Sequence, residues 1–293
     1  MDSYSFYNFY TGHSLTHLQI LYNTIKKLAP EAKIVYLAGD SSLDNKFWIL
    51  DQKSKKAVNY YQLVLNPPEM KPDLCYHLNY LLRGSSYICI NCAVEESTLQ
   101  ERTQGNLLIQ DVFIQKHLKK QDILIVSVGG NDIVYKPTFA TLYNLVLLLS
   151  FNSIENLKKN PTKCWGFKHF IGLFKDQVTQ YIKELIARQL PKLVVVCMFY
   201  YPDENLTYGW ANDALAYLGY NQNPEKLQVV IKQIYKYAIE QISIFGVQIV
   251  ALPMFEILDS KSTQDYVERV EPSNLGGRKI AKSIAEIIKT INS

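Results

Sequence analysis

The amino-acid sequence predicts an α/β fold in which a parallel sheet is covered by helices on both faces. Short runs rich in β-branched residues alternate with longer segments of helical periodicity along the 293-residue chain, the pattern that right-handed βαβ crossovers produce. One of the runs, Asp122-Ile123-Leu124-Ile125-Val126-Ser127-Val128, is apolar almost throughout, as suits a strand buried on both faces. Three runs also stop at small polar clusters, and in open parallel sheets ligands bind at the carboxyl edge of the strands.

The elements follow in order. Leu15, Leu18, Ile20, Leu21, Ile25 and Leu28 recur at helical spacing over residues 14–29, with Ser14 placed to cap the start. Lys33-Ile34-Val35-Tyr36-Leu37-Ala38 reads as the first strand and stops at Gly39-Asp40-Ser41-Ser42-Leu43-Asp44-Asn45. A polar, basic segment then leads to Asn66-Pro67-Pro68, which breaks regular structure before a helix at about residues 73–82. Tyr87-Ile88-Cys89-Ile90 is the second strand, followed by the acidic loop Val94-Glu95-Glu96-Ser97-Thr98. Leu99, Leu107, Leu108, Val112, Phe113 and Leu118 approximate one face of a helix running to about residue 119, with Gly105 working against it. The third strand, 122–128, ends in Gly129-Gly130-Asn131-Asp132. Helices at 139–151 and 170–190 flank a loop holding Pro161 and Trp165, and Leu193-Val194-Val195-Val196-Cys197-Met198 is the fourth strand. An aromatic-rich insertion, 200–222, precedes a helix at 224–244, a fifth strand at 247–252 and a closing helix at 274–291. The expected organisation is one domain over 1–293, with an N-terminal extension, 1–30, and that insertion.

Composition narrows the function classes. A hydrophobic content of 48% is enough for a sizeable core. The net charge of +4 is dispersed, so neither nucleic acid nor an anionic membrane is indicated as a partner. The longest apolar block, 145–151, is far shorter than the roughly 18 residues of a membrane span, and no signal or transit pattern opens the chain. The expectation is a soluble, cytoplasmic protein. Five cysteines, Cys75, Cys89, Cys92, Cys164 and Cys197, suit a reducing compartment and read as buried free thiols. Cys89 and Cys92 have redox or zinc spacing but no second ligand pair nearby, so neither a metal nor a cofactor is expected. A weaker alternative gathers Asp40, Asp44, Glu95, Glu96, Asp132, Glu268 and Glu271 at one edge, an oxygen-rich set that would suit Mg²⁺ or Ca²⁺.

Three blocks in order give the chain a resemblance to the SGNH, or GDSL-type, hydrolases, a family of esterases and acylhydrolases. Gly39-Asp40-Ser41 with Asp44-Asn45 looks like the family's nucleophile block, and Gly129-Gly130-Asn131-Asp132 like its Gly-x-Asn-Asp block. Glu271-Pro272-Ser273-Asn274-Leu275-Gly276-Gly277 aligns with the terminal block. The resemblance implies a three-layer α/β/α sandwich with a flavodoxin-like parallel five-stranded sheet. It also implies that Ser41 attacks an acyl carbonyl while three donors stabilise the oxyanion: the Ser41 backbone N–H, the backbone N–H of the second block and the Asn131 amide. Gly39, Asp40, Asp44, Asn45, Gly130 and Asp132 would support them. The implied substrate is a lipid, an acetylated sugar or a small-molecule acyl ester.

Two departures from the family pattern bear on activity. Glu95 and Glu96 stand where a second-block glycine is usual, Glu96 being the nearer equivalent, and its carboxylate would oppose a developing oxyanion. Where the family carries Asp-x-x-His, this chain reads Glu268-Arg269-Val270-Glu271, so the usual base is replaced by a carboxylate. An ordinary glutamate is about two units more acidic than histidine, and Glu271 would need burial or repulsion from Glu268 to serve as base. A structural reading places Glu271 at the start of a helix capped by Ser273, paired with Arg269 or Arg278. His13, His17, His77, His117 and His169 fall away from the expected edge. Two functions therefore stand side by side: an ester hydrolase using Ser41, Asn131 and Glu271 with Glu268 in support, and a catalytically silent domain that binds a ligand or a protein assembly partner.

Overall fold

A computed structural model describes residues 1–103 and 105–291 of the chain. Strands β1 (Lys33–Gly39), β2 (Tyr87–Asn91), β3 (Ile123–Ser127), β4 (Leu193–Met198) and β5 (Ile249–Pro253) form a parallel sheet in the order β2-β1-β3-β4-β5. This is the flavodoxin-like order, with its switch point at β1 and β3. The first four strands are buried almost end to end, as their apolar runs require. Register brings the three polar blocks to one edge, because Leu37 pairs with Asn91 and Gly39 with Ser127.

Among the described residues, the longer helices that cover the sheet are α1 (Leu15–Leu28), α2 (Leu74–Leu81), α3 (Ile109–His117), α4 (Phe139–Ser150), α5 (Phe167–Leu185), α6 (Pro224–Tyr237) and α7 (Asn274–Thr290). α5 contains a π-helical segment, Gly172–Gln177. α2 and α7 pack on each other, while α1 meets α3, α3 meets α5, and α5 carries α4 and α6. The result is an α/β/α sandwich. Starts follow capping chemistry, with Ser14 accepting from the His17 N–H, Asp73 from Tyr76, Thr138 from Thr141 and Ser273 from Gly276. Met1–Tyr7 is tied in as well, since the Met1 amino group donates to the Val64 carbonyl at 2.9 Å and Phe6 and Tyr7 are buried in the core.

The helix expected from residue 99 to 119 is shorter than its periodicity suggests. Gln100–Arg102 is one 3₁₀ turn and α3 begins only at Ile109. Gly105 sits between them at φ +82°, in the left-handed region where a helix cannot continue. The preceding turn also draws the Arg102 side chain inward, fully buried, which a continuous helix on one apolar face would not do. The helix expected at 224–244 ends at Tyr237. All five cysteines are buried and free, and the Cys75 and Cys89 sulfurs lie 3.7 Å apart without a bond. Among the described residues, no helix is long and apolar enough to cross a membrane.

Candidate active site

The nucleophile loop is set by the end of β1. Gly39 has φ +142°, and a Cβ there would lie 1.8 Å from the Ser127 carbonyl oxygen, so only glycine lets the chain leave the sheet at this point. Its carbonyl accepts from the Val94 N–H at 2.8 Å, the Ser97 hydroxyl at 3.2 Å and Arg102 Nη2 at 2.8 Å. Arg102 is held in turn by Asp111 at 3.0 Å, and Tyr181 donates to the other Asp111 oxygen at 2.7 Å. This buried cation under the strand end neutralises the Asp111 carboxylate and fixes the base of the loop. After Gly39, Asp40 turns the chain, accepting from the Ser42 N–H at 3.1 Å, with the Ser42 hydroxyl 2.6 Å from Asp40 Oδ1.

Of the supporting residues, Asp44, Asn45 and Asp132 brace loops and do not line the cleft. Asp44 pairs with the buried Lys46 ammonium and accepts from Asn91 at 2.8 Å. Asn45 donates to the Pro272 carbonyl at 3.0 Å and accepts from the Leu74 N–H at 2.9 Å, tying the nucleophile loop to the terminal block and to α2. Asp132 accepts from the Leu99 and Gln100 N–H groups at 2.7 and 3.0 Å, closing the second loop. The weaker cation reading is not supported, because among the described residues no three acidic, histidine or cysteine side chains gather as a metal site. Asp44 and Asp132 are committed to the contacts just given.

Ser41, Asn131, Gly130, Asp40 and Glu271 border one cleft that is partly open to solvent. Its wall is otherwise largely apolar, with Leu145 of α4, Phe170 of α5, Leu215 of the insertion and Ile231 and Ile234 of α6. No histidine lines it. His13 is buried on the Phe6 carbonyl, His77 meets the Asn274 amide oxygen and His169 the Thr141 hydroxyl. Asn131 spends one amide hydrogen on the Ser97 carbonyl at 3.0 Å, and a carboxamide has a second to offer.

Glu271 is 2% exposed and lies close to Ser41 and Trp210, while its Oε2 has no partner. Burial raises its pKa to about 8, hydrogen bonding from Ser41 and from Trp210 opposes the rise, and the charges of Asp40 and Glu268 add to it. The suggested pairing with Arg269 is absent. Arg269 turns away to the Asp203 carbonyl at 3.1 Å and to the Asn212 and Asn221 amide oxygens at 3.1 and 3.0 Å, all in or beside the insertion. No ion pair involves Glu271 among the described residues. Glu268, at φ +49°, accepts from the Trp210 N–H at 3.1 Å and touches the site through the insertion and its charge.

The two second-block acids divide. Glu96 occupies the left-handed region at φ +58°, the conformation a glycine would favour, and its carboxylate is held by the Tyr10 hydroxyl at 2.9 Å. Glu96 does not line the cleft. Glu95 is the buried acid, 3% exposed, accepting from Trp48 Nε1 at 3.1 Å with Oε2 unpartnered. Its burial, followed by the charge of Glu271, pushes its pKa far up, so it stands as a neutral acid at pH 7. Arg102, Trp48 and Trp210 had no motif to mark them.

No family model matches the chain, and no curated protein matches it in sequence. Among solved structures it is similar to a protein from Bacillus subtilis, at 14% identity and a TM-score of 0.46 over 89% of this chain. It is also similar to an extracellular lipase from Streptomyces rimosus, at 13% identity and a TM-score of 0.38, covering 87% of this chain and 100% of the lipase. A phospholipase A1 from Streptomyces albidoflavus gives 13% identity and a TM-score of 0.39, covering 87% of this chain and 99% of that one. The chain spans 57% of the length of the Bacillus protein.

Proposed function

We propose that this chain is a serine ester hydrolase of the SGNH/GDSL type in which Glu271 takes the place of histidine, acting on carboxylic esters with an apolar acyl group. The observation that carries the reading is the convergence of Ser41, Asn131 and Glu271 on one cleft. Ser41 Oγ attacks the ester carbonyl carbon and its proton passes to the Glu271 carboxylate. The oxyanion takes hydrogen bonds from the free Asn131 amide hydrogen and from the Ser41 backbone N–H, each such donor contributing about 3 kcal/mol. The protonated Glu271 then returns the proton to the departing alkoxide as the C–O bond breaks. Water attacks the acyl-enzyme with Glu271 again accepting, and Ser41 is restored. Elevation of the Glu271 pKa toward neutrality is what fits a carboxylate to this task. The apolar wall of Leu145, Phe170, Ile231 and Ile234 suits an acyl chain better than an acetylated sugar.

A silent ligand-binding domain is the second reading, favoured by the proton that Glu271 retains at pH 7, since a protonated carboxyl cannot act as base. A fluorophosphonate probe at pH 8.5 separates the two. Labelling that disappears in Ser41→Ala, together with hydrolysis of acyl esters, supports the hydrolase. Neither labelling nor hydrolysis at that pH leaves the ligand-binding reading.

A further inference from the structure

The outer face of α4 and the adjoining part of the insertion are apolar and uncovered. α4 is 12 residues long, about 18 Å, and no charged residue occurs from 137 to 154. Phe139 is 86% exposed, Leu142 and Tyr143 one turn on are exposed as well, and so is Phe151 at the far end of the helix. Asn152 clasps the backbone of Trp165 on both sides, accepting from its N–H at 3.0 Å and donating to its carbonyl at 3.1 Å, which ties the exposed Trp165 to the C-terminal end of α4. At the other end of α4, the Tyr135 ring meets Trp210 edge-on at 5.8 Å. Trp210 in turn joins the exposed Leu206 and Tyr208 in a segment, 205–212, that also lacks charge. A helix apolar on nearly every side is normally buried, and a patch this continuous marks a contact surface.

We infer that this face docks on a zwitterionic lipid surface, with the aromatic side chains of α4 and of the 206–210 segment entering the headgroup boundary. The cleft chooses the occupant. Trp210 is part of the exposed patch and also lines the cleft that ends at Ser41, so patch and cleft meet at one side chain. A protein seated there would cover that entrance, whereas a lipid layer would supply apolar chains to it. The dispersed charge removes the case for anionic lipid, and large aromatic and leucine side chains without charge are the groups that settle at a lipid boundary.

The surface does not depend on the hydrolase reading, and its test keeps the two apart. The full chain carrying Ser41→Ala is mixed with phosphatidylcholine vesicles and floated on a density gradient. The expected result is co-flotation with a blue shift of tryptophan emission, both reduced at least tenfold in Phe139→Asp and in Trp165→Asp while the melting temperature and near-ultraviolet dichroism stay unchanged. Phe139 and Trp165 do not line the cleft, so hydrolysis of a water-soluble short ester by the same variants on the Ser41 background should be unaltered. Failure to float, or flotation that both variants retain, overturns the inference. So does a concentration-dependent dimer in sedimentation that Phe139→Asp splits without any vesicle binding, which would assign the face to a second copy of the chain.

Discussion

Glu271 is a carboxyl that must lose its proton before Ser41 can act. Burial holds its pKa at about 8, so the basic form is the minor one at pH 7 and predominates above pH 8. For an activated ester, kcat/KM should therefore rise about tenfold per unit below that point and level off beyond it, opposite to an ordinary glutamate base, which would be flat from pH 6 upward. Glu271→Gln keeps the shape but cannot accept the proton. It should cost about 10³-fold or more in kcat and abolish the pH rise. An unchanged pH profile in that variant would remove Glu271 from the mechanism. Asn131→Ala tests the donor separately, with an expected loss of about 10²–10³-fold in kcat and little change in KM, because the hydrogen bond to the oxyanion forms only in the transition state.

The elements place these residues through braces that a local reading of the chain could only partly anticipate. Strands were legible because a buried parallel strand must be apolar along its length, and the three polar blocks were legible because each stands directly after such a run. The segment after β2 was not. Leu99, Leu107 and Leu108 carry the helical spacing, yet the Gly105 turn and the inward pull on Arg102 leave a 3₁₀ turn and a late helix there. Arg102 reaches Gly39, 63 residues away, and no periodicity reports such a contact. Arg102→Leu leaves Asp111 as a buried carboxylate without its cation, which should cost about 3–5 kcal/mol in urea unfolding at pH 7. Arg269 performs the analogous task for the insertion. Arg269→Ala releases the Asp203 carbonyl and the Asn212 and Asn221 side chains together, so limited proteolysis should shift to cuts within residues 203–221. With the cleft wall loosened, KM for long-chain esters should rise more than kcat falls. Unchanged proteolysis would show that the insertion is held by its packing alone.

Across the whole molecule, the acids of the site illustrate what sequence order hides. Glu95 meets Trp48 from 47 residues away, and the Glu271 carboxyl lies beside Trp210 of the insertion, so the two buried acids were visible as residues but not as neighbours. Their burial links folding to protons. Desolvation raises Asp40 to about 6, Asp73 to about 7 and Glu271 to about 8, and Glu95 higher still. In the unfolded chain each ionises near pH 4. The folded state thus keeps protons that the unfolded state has released, and stability from these groups, complete below about pH 4, is lost as pH rises toward their folded values. Histidines act in the other direction, since burial lowers His13 well below its usual value and lowers His77 too, so that acid favours the unfolded state. That opposition fades above about pH 6.5, as unfolded histidine loses its proton. Between pH 7 and 8.5 Glu95 contributes throughout and Glu271 until about pH 8, each with a slope of at most about 1.4 kcal/mol per pH unit, and the buried Cys89, Cys92 and Cys197 thiols, whose pKa burial raises, add to the fall as unfolded thiols ionise toward pH 8.5. Urea unfolding should therefore show stability falling across this range, with Glu95→Gln and Glu271→Gln each flattening the fall and the double variant leaving only the thiol contribution, which grows toward pH 8.5. A stability that is level or rising from pH 7 to 8.5 would mean that these carboxyls are already ionised in the folded protein, and Glu271 would then be an ordinary carboxylate with no reason to act near pH 8.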